Sequence, residues 1–479
     1  MSAVAAGLSL CALAAVATPT QAAGPHMSPH LMAIQGPAIS SLTSNAISHA
    51  RIFASLGVSY YGPNDLAKVY NFPSNLDGSG QTIIIVDAYG SSTIEADLAA
   101  FDGYFGVQAP PSFKIIHAKG TPGVTGSNAV GSWQIETSLD VEYAHAMAPG
   151  ANIVLAVAAT DNNYDLNAAE AQVFPRYPGA IVSQSFGDWE TDPTAGKSFA
   201  DQHKIFEAAI KLGDTLIASA GDFGATWTRF TGPKSPAVAS YPASDPLVTS
   251  VGGTQGNPYP GGLEIAGAYG GEATWNEGKA TLGGQPIDEA TGGAPSVLFR
   301  APSWQRGVTG YRARTVPDVA YDAAVNGGVV VFAASSTWLV GGTSVGSPQW
   351  AAIFALVNQA RASGEHDPLG FANAALYKLG TQGAQSDGNA QNAQGDEKKS
   401  SSAVFHDITK GNNALDSKIG FSAKRGYDLT TGWGTPNVAN LVAALTGSGS
   451  DRNPEANDPA SVHGSSSNNG HAPNTMAPD

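Results

Sequence analysis

The sequence has 479 residues, of which 57 are glycine and only 13% are charged. A chain of this length can bury a large core, and the length is compatible with one large α/β domain plus appendages. The 24 Lys and Arg residues against 39 Asp and Glu residues give a formal net charge of -15, which argues against nucleic acid and anionic membranes as partners.

The first 23 residues have the pattern of a secretory signal peptide. An apolar run from Val4 to Ala17 precedes small residues around Ala22 and Ala23 that suit cleavage, although no Lys or Arg precedes the run. The only cysteine, Cys11, lies in this segment, so the secreted chain would contain no disulfide. The sequence therefore predicts secretion, to the extracellular space or the periplasm, and no other apolar stretch is long enough to span a membrane.

Residues 24–60 are polar and rich in small side chains, with a modest helical pattern from Ile47 to Leu56. We predict a short leader here, followed by a domain that covers residues 61–446.

Apolar runs alternate with amphipathic stretches from Thr82 to Ala334. The runs that indicate strands are Thr82–Ala88, Lys114–Ala118, Ala151–Ala158, Ala180–Gln184, Thr215–Ala220, Leu247–Val251 and Gly328–Ala333. Helical patterns cover Thr93–Phe105, Ser132–Met147 and Phe199–Leu212. This alternation predicts an α/β fold, a mostly parallel sheet with helices on both faces.

The predicted helix Ser132–Met147 carries two carboxylates on one face. Glu136 and Asp140 are four residues apart, about one helical turn. Two carboxylates at this spacing repel each other, which destabilises the helix unless they share a proton or have a functional role. On spacing alone, such a pair is typical of a solvated helix face. Glu142 is predicted to be a surface residue.

Asp222 follows the apolar run that begins at Thr215, at the end of a predicted buried strand. Open α/β sheets bind their ligands at this end of their strands. If it is protonated, an acid here can donate a hydrogen bond to a developing oxyanion, whereas the ordinary alternative is an aspartate in a turn.

Ser344 lies where a glycine-rich turn meets the apolar segment Trp350–Val357. A serine at the start of a helix is close to unpaired N–H groups and to the positive end of the helix dipole, which favour developing negative charge. Pro348 fits the first helical turn, where its missing N–H breaks no hydrogen bond. A capping serine has the same local pattern, but with the carboxylates above as a possible base we predict a nucleophile.

Two regions of the second half are too polar to belong to the core. Residues 382–402 are of low complexity and are predicted to form a surface insertion, and residues 447–479, rich in Ser, Asn, Gly and Pro, are predicted to be a disordered tail.

Three blocks, in the same order along the chain, resemble the signature motifs of the sedolisins, the serine-carboxyl peptidases. They are Glu136-Thr-Ser-Leu-Asp140, Ser219-Ala-Gly-Asp222-Phe-Gly224, and Gly342-Thr-Ser344 followed by Pro348. Further similar stretches are Tyr241–Thr254, Pro302–Gln305 and Arg314–Ala320. The resemblance runs from about Tyr61 to about Leu445 and implies the subtilisin-like fold.

This resemblance also implies a role for each matching residue. Ser344 would be the nucleophile, Glu136 the general base, and Asp140 the residue that orients Glu136, while Asp222 and the N–H of Ser344 would stabilise the oxyanion. Because free glutamate and aspartate titrate near about 4.3 and 3.9, we expect peptide hydrolysis with an acidic optimum. Protein or peptide substrates and a monomeric enzyme are expected.

Asp87 ends the predicted strand that begins at Thr82, a position that resembles the catalytic aspartate of the subtilisins. Since no histidine lies in a matching setting, we predict instead a strand-end acid that accepts hydrogen bonds from nearby backbone donors.

The loops near the C-terminus resemble the calcium site of the sedolisins. Asp407 and Asp428 would supply carboxylates, and Ile408 and Gly426 carbonyl oxygens, which suit the hard, oxygen-preferring Ca²⁺ ion. Lys424 stands where many members have a glycine carbonyl ligand, and its cationic side chain weakens the case for that one ligand.

Three questions stay open at this stage. Glu136 and Asp140 could be the carboxylate pair of another acid hydrolase, such as a glycosidase, with a structural Ser344, or the chain could be an inactive secreted binding protein. Endopeptidase and tripeptidyl-peptidase activities both occur in the family. Many sedolisins carry a long N-terminal prodomain, so an enzyme with a short leader could need no activation, use a separate chain, or be a truncated product.

Overall fold

The computed structural model of the chain describes residues 26–41, 60–118, 128–227, 236–256, 269–278, 280–282, 285–390, 403–415 and 419–447. The predicted signal peptide, the helical pattern from Ile47 to Leu56 and the predicted tail after residue 447 lie outside these ranges.

Strands and helices alternate along the described chain. The strands are β1 Ser28–Pro29, β2 Met32–Ala38, β3 Tyr60–Tyr61, β4 Thr82–Ala88, β5 Phe113–His117, β6 Asn152–Ala158, β7 Ile181–Gln184, β8 Phe186–Trp189, β9 Thr215–Ser219, β10 Ser240–Tyr241, β11 Val248–Gln255, β12 Ala273–Thr274, β13 Ala280–Leu282, β14 Gln285–Ile287, β15 Ala294–Arg300, β16 Ala313–Val316, β17 Val319–Asp322, β18 Gly328–Ala333, β19 Ser336–Gly341, β20 Phe405–His406 and β21 Thr435–Pro436. The α-helices are α1 Pro63–Val69, α2 Ile94–Phe105, α3 Asn128–Met147, α4 Asn163–Val173, α5 Gly196–Lys211, α6 Gly346–Ser363, α7 Asn373–Ala390 and α8 Val438–Thr446.

The central sheet has eight strands in the order β12-β11-β9-β7-β4-β6-β5, with β17 also paired to β11. Every pair in it is parallel except β11 with β12. This arrangement confirms the predicted mostly parallel sheet, and β4 has the predicted bounds. The other predicted strands of this sheet differ from the observed ones by one to four residues at an end.

Helices cover both faces of the central sheet, which explains why its strands are apolar at successive positions. Along β4, Ile83 and Ile85 belong to a core cluster shared with α3 and α6, whereas Ile84 and Val86 belong to a second cluster shared with α4 and α5. Because both faces are buried, the middle of the strand is apolar at successive positions, and the one charged residue, Asp87, lies near its end.

The predicted strand Gly328–Ala333 exists as β18, but it lies in a second sheet. That sheet has the order β2-β19-β18-β3, and β19 pairs antiparallel with both β18 and β2. An apolar run does not identify its partner strand, so the sequence pattern could not separate the two sheets. Residues 26–41 thus pack against the domain that was predicted to begin at residue 61.

The predicted helices are present as α2, α3 and α5, with ends that agree within one residue and starts that agree within four. The apolar segment Trp350–Val357 lies within α6, and Pro348 is the third residue of that helix. The helix α7 extends to Ala390 and so includes the first residues of the insertion predicted at residues 382–402. The rest of that insertion lies outside the described ranges. None of the helices in the described ranges is long and apolar enough to cross a bilayer.

Candidate active site

Ser344 lies in a 3₁₀ turn, Thr343–Val345, that leads directly into α6. Its side chain is buried, and its hydroxyl donates a hydrogen bond to the carbonyl oxygen of Ser185 at 3.1 Å. The preceding Gly342 has a φ of 122°, a left-handed conformation that favours glycine. A Cβ at Gly342 would also collide with Oδ2 of Asp222, so the turn needs glycine for space as well.

Glu136 and Asp140 project from one face of α3, as their spacing predicts, and this face is turned to the interior. Both side chains are wholly buried. The Glu136 carboxyl lies near enough to the Ser344 hydroxyl for that hydroxyl to lower its pKa, although neither Glu136 oxygen has a hydrogen-bond partner within the described chain. Asp140 Oδ1 accepts a hydrogen bond from the Ser185 hydroxyl at 2.8 Å. Ser185, which follows β7, therefore connects Asp140 through its side chain and Ser344 through its carbonyl group.

Burial and mutual repulsion raise the pKa of both carboxyls on α3. For Glu136, burial raises the pKa most, followed by the charges of Asp140 and Asp87, and the contact with Ser344 acts in the opposite direction. For Asp140, burial also raises the pKa, whereas the hydrogen bond from Ser185 and the nearby Glu136 carboxyl lower it. The group can therefore hold protons well above the range in which free carboxyls ionise.

Asp222 lies three residues after β9 and faces the same turn. Its Oδ1 accepts hydrogen bonds from the Thr343 N–H at 2.9 Å and from the Thr343 hydroxyl at 2.7 Å. Its Oδ2 has no hydrogen-bond partner within the described chain. Burial raises the pKa of Asp222 to about 8, so the carboxyl is neutral in acid and its second oxygen can donate a hydrogen bond.

Asp87, at the end of β4, belongs to this group of buried acids. Burial and then the charge of Asp140 raise its pKa, and the nearby Thr137 side chain lowers it. Neither carboxyl oxygen accepts a backbone hydrogen bond from the described residues, contrary to the prediction of a strand-end acid that serves backbone donors.

The prediction that Glu142 lies on the surface is wrong. Its side chain is fully buried, and Oε2 accepts a hydrogen bond from the backbone N–H of Phe332 in β18 at 3.0 Å. The helix α3 is covered on one side by the central sheet and on another by the second sheet, which the sequence pattern did not show. Burial raises the pKa of Glu142, so its carboxyl is neutral in acid.

The N-terminal segment, defined here as residues 26–38, crosses this site in extended conformation, and nothing in the sequence pattern indicated it. Its first half, β1, pairs antiparallel with β8, with Pro29 opposite Phe186. Its second half, β2, pairs antiparallel with β19, with Met32 opposite Gly341. Between the two strands, the carbonyl oxygen of His30 accepts a hydrogen bond from the Ser344 N–H at 3.1 Å.

The predicted calcium ligands lie on loops that meet near the C-terminus. Asp407 Oδ2 accepts a hydrogen bond from the Gly426 N–H at 3.0 Å, and Asp428 Oδ2 accepts one from the Lys424 N–H at 3.0 Å. Ile408 is buried beside Asp407. In the described ranges, no three His, Cys, Asp or Glu side chains gather to hold a metal, and the predicted set itself contains only two carboxylates.

The chain is similar to several known peptidases. It is 33% identical to kumamolisin of a Bacillus species over 404 residues, which are 82% of this chain and 65% of kumamolisin. It is 28% identical to sedolisin of a Pseudomonas species over 84% of this chain and 64% of that protein, and 28% identical to tripeptidyl-peptidase 1 of Bos taurus over 80% and 64%. The chain thus spans slightly less than two thirds of the length of these relatives.

Comparison of structures agrees with comparison of sequences. The solved structure of Pseudomonas sedolisin, a serine-carboxyl proteinase complexed with pseudo-iodotyrostatin, superposes with a TM-score of 0.65 and 27% identity. The match covers 81% of this chain and 98% of that one. No protein-family model matches the chain. On its similarity to kumamolisin and sedolisin over four fifths of its length, and on its subtilisin-like α/β fold, the chain belongs to the sedolisin family.

Proposed function

We propose that this protein is a secreted serine-carboxyl endopeptidase that works in acid. The observation that carries the proposal is the proximity of the Ser344 hydroxyl to the buried Glu136 carboxyl, in a group of acids that burial keeps from ionising together. A carboxylate in contact with a hydroxyl can take its proton, as a histidine does in the familiar serine triads.

In the proposed reaction, Ser344 Oγ attacks the carbonyl carbon of a peptide bond as its proton passes to Glu136. The Asp140 carboxyl tunes Glu136, and the Ser185 hydroxyl holds Asp140 in place at 2.8 Å. The Ser344 N–H and a protonated Asp222 Oδ2 donate hydrogen bonds to the oxyanion. Glu136 then protonates the leaving amine, and water hydrolyses the acyl-enzyme in the reverse sequence of proton transfers.

The acid range follows from the same carboxyls. Asp222 can donate a hydrogen bond only while it is protonated, and its pKa of about 8 sets the upper limit of activity. If the N-terminal segment moves out of the site and water enters, these carboxyls are less desolvated and their pKa values fall. We therefore expect the working range of the open enzyme to move towards the acid values of ordinary carboxyls, near about 4.

Endopeptidase activity is favoured over tripeptidyl-peptidase activity by the path of the N-terminal segment. Four residues precede His30, whose carbonyl group binds the Ser344 N–H: His26 forms a β-bridge with Asn162, and Ser28–Pro29 form β1. Met27 in this stretch donates its N–H to the Asp161 carbonyl oxygen at 2.9 Å. A site that ended after three residues could not accommodate this path.

A calcium ion near the C-terminus is part of the proposal. Asp407 and Asp428 would supply carboxylates, and Ile408, Gly426 and Lys424 carbonyl groups, a donor set of oxygens only. The hydrogen bond from the Gly426 N–H to Asp407 Oδ2 brings the two loops together, which supports the proposal. The ion would stabilise the fold of these loops and take no part in the reaction.

Digestion of casein at about pH 4 tests the proposed activity. We expect the wild type to be active and Ser344→Ala to be inactive while its circular dichroism spectrum and melting temperature stay unchanged. Ser347→Ala is the matched control, because Ser347 is equally buried in α6 but bonds Ser183 Oγ at 2.9 Å, away from the carboxyls. A folded Ser344→Ala enzyme with wild-type activity would contradict the proposal and leave the carboxylate-pair hydrolase as the alternative.

A further inference from the structure

A side chain of the protein itself marks a pocket beside the proposed nucleophile. The carbonyl oxygen of His30 accepts the Ser344 N–H at 3.1 Å, and the His30 N–H donates to the Ser185 carbonyl oxygen at 3.2 Å. Pro29 pairs with Phe186 in β8, so the backbone here lies as an added strand. A substrate that bound in the same way would place the residue before its scissile bond where His30 lies. The surroundings of the His30 ring therefore indicate what that substrate residue would contact.

This pocket, defined here as the space around the His30 ring, is closed by an aromatic ring and two glycines. The His30 ring is wholly buried, and it meets the edge of the Trp227 ring with the centroids 5.9 Å apart. A Cβ on Gly187 would collide with the imidazole, and a Cβ on Gly221 would touch both rings. The pocket is thus fitted to a small, flat side chain.

Two serine hydroxyls supply polar groups to the pocket. Ser219 Oγ lies 2.7 Å from His30 Nδ1. Ser240 Oγ is buried without a hydrogen-bond partner in the described chain, and a Cβ on Gly187 would collide with it as well as with the His30 ring. Among the described residues, His30 Nε2 has no hydrogen-bond partner either. The side chain is thus bound at its δ position, where asparagine also has hydrogen-bonding atoms.

The pocket offers no partner for a charged side chain in acid. The residues that form its walls are Gly187, Ser219, Gly221, Trp227 and Ser240, none of which is charged. Asp188 and Asp222 follow two of them along the chain, and burial raises the pKa of both, that of Asp222 to about 8, so both carboxyls are neutral in acid. Burial lowers the pKa of His30 to about 3, so the ring is held neutral. A lysine, arginine or carboxylate here would be buried without a counter-charge, which is unfavourable.

We propose that this pocket selects a small, flat and neutral side chain before the scissile bond, and that asparagine is the residue cleaved fastest in acid. This inference rests on the proposed function and names its substrate class. Ser219 Oγ would bond the asparagine side-chain amide as it bonds Nδ1 of His30. Leucine has a similar size and branching, but it would leave the buried Ser219 hydroxyl unpaired.

Histidine substrates provide an internal check of the neutral pocket. A free histidine side chain has a pKa of about 6.5, so only its neutral fraction can enter, and that fraction rises about tenfold per pH unit between about pH 4 and 6. Asparagine does not titrate in this range. The ratio of kcat/KM for a histidine peptide to that for an asparagine peptide should rise by the same factor, because the titration of the proposed catalytic carboxyls cancels in the ratio.

The test uses peptides that differ only in the residue before one scissile bond: asparagine, leucine, histidine or lysine. We measure kcat/KM of the purified full chain between about pH 4 and 6, and mass spectrometry of the products identifies the bond cut. The asparagine peptide should exceed the leucine peptide by about tenfold and the lysine peptide by about 100-fold or more. In Ser219→Ala the asparagine-to-leucine ratio should fall by about tenfold. Ser347→Ala, which removes a buried hydroxyl outside the pocket, should keep the wild-type ratio.

The two proposals fail in distinguishable ways. A higher kcat/KM for leucine or lysine than for asparagine, a histidine-to-asparagine ratio that does not change with pH, or a folded Ser219→Ala enzyme with the wild-type ratio would overturn the pocket assignment and leave the proposed function intact. Casein digestion without cleavage of the asparagine peptide would do the same. Folded wild-type protein that cleaves neither casein nor any of the peptides would overturn the proposed function itself.

Discussion

The two oxygens of Asp222 have different surroundings, and this difference gives a direct test of its role. Oδ1 is bound by Thr343, whereas Oδ2 is unpartnered within the described chain and borders the carbonyl oxygen of His30. A carboxyl that donates through Oδ2 must be protonated, while an amide in the same place donates at any pH.

We predict that Asp222→Asn keeps measurable activity. Its activity should no longer fall at alkaline pH through deprotonation of residue 222. Asn can accept from Thr343 through its oxygen and donate through its nitrogen. Asp222→Ala removes the donor, and its kcat should fall by about 10²–10³-fold, as expected for one oxyanion donor. Steady-state kinetics on a peptide substrate from acid to alkaline pH measure both effects. An unchanged fall of activity at alkaline pH in Asp222→Asn would contradict this role of Asp222.

Single residues also show the limits of sequence analysis. The grouping of Glu136, Asp140, Asp222 and Ser344 was predicted through the resemblance to the sedolisins, since the glycine turn, strand end and helix spacing around them each also fitted an ordinary structural role. Nothing in the sequence pattern indicated His30 or Ser185. His30 contacts Ser344 through its backbone carbonyl group, and Ser185 also uses its carbonyl group beside its hydroxyl, and a backbone carbonyl is the same in every residue type.

At the scale of one element, α3 presents acids to two different partners. Glu136 faces the Ser344 turn, whereas Glu142, less than two turns later, faces the N–H of Phe332 in the second sheet. Both side chains are fully buried, and burial is the largest cause of the raised pKa of each. They form a matched pair of positions in one helix.

We predict that Glu136→Gln lowers kcat by about 10²–10⁴-fold, the usual contribution of a general base. Glu142→Gln should keep its activity, since the amide oxygen can still accept the Phe332 N–H. Steady-state kinetics and thermal melting of both variants measure the effects. Equal losses of activity in the two variants would mean that the α3 acids act through stability and not through proton transfer.

The loops of Asp407 and Asp428 provide a second test at this scale. If they bind Ca²⁺, chelation should lower the melting temperature, because an ion at 100 times its Kd stabilises the fold by about 2.7 kcal/mol. Asp428→Asn should melt lower and respond less to chelator, although its many hydrogen bonds to Thr430 and Thr431 give it a structural role as well. The decisive measurement is whether added Ca²⁺ restores the melting temperature after chelation. A melting temperature that changes with neither chelator nor Ca²⁺ would contradict the site.

Strands buried on both faces could be predicted because they contain an unbroken apolar run, as Ile83 to Val86 in β4. The short strand β1 and the strand β2 could not. The β2 sequence MAIQGPA contains Gly36 and Pro37, which normally indicate a turn, and its pairing with β19 is set by the tertiary fold.

For the whole molecule, buried acids determine how stability depends on pH. Burial raises the pKa of Asp222 and Glu170 to about 8 and of Glu190 and Asp214 to about 7. Between the unfolded and folded pKa values, the folded protein binds more protons than the unfolded chain, so the free energy of unfolding falls as pH rises.

We predict that the melting temperature is highest near pH 4 and falls progressively towards pH 8, because each acid contributes fully below its unfolded pKa and loses its contribution as pH rises through its folded pKa. His30 acts in the opposite direction, since its lowered pKa of about 3 favours the folded state at high pH. Thermal melting across this range measures the sum. A melting temperature that rises from pH 4 to pH 8 would contradict the account.

The pairing of β2 with β19 also bears on solubility. Without β2, the strand Ser336–Gly341 would offer a row of unpaired N–H and C=O groups at the margin of its sheet, ready to join the same strand of another copy. With β2 in place, the outermost strand contains Pro37, which has no N–H to offer a neighbour. A version shortened beyond residue 38 would therefore expose the unpaired edge of β19 and be prone to aggregate, whereas a version that begins at Leu31 would keep that edge paired with β2.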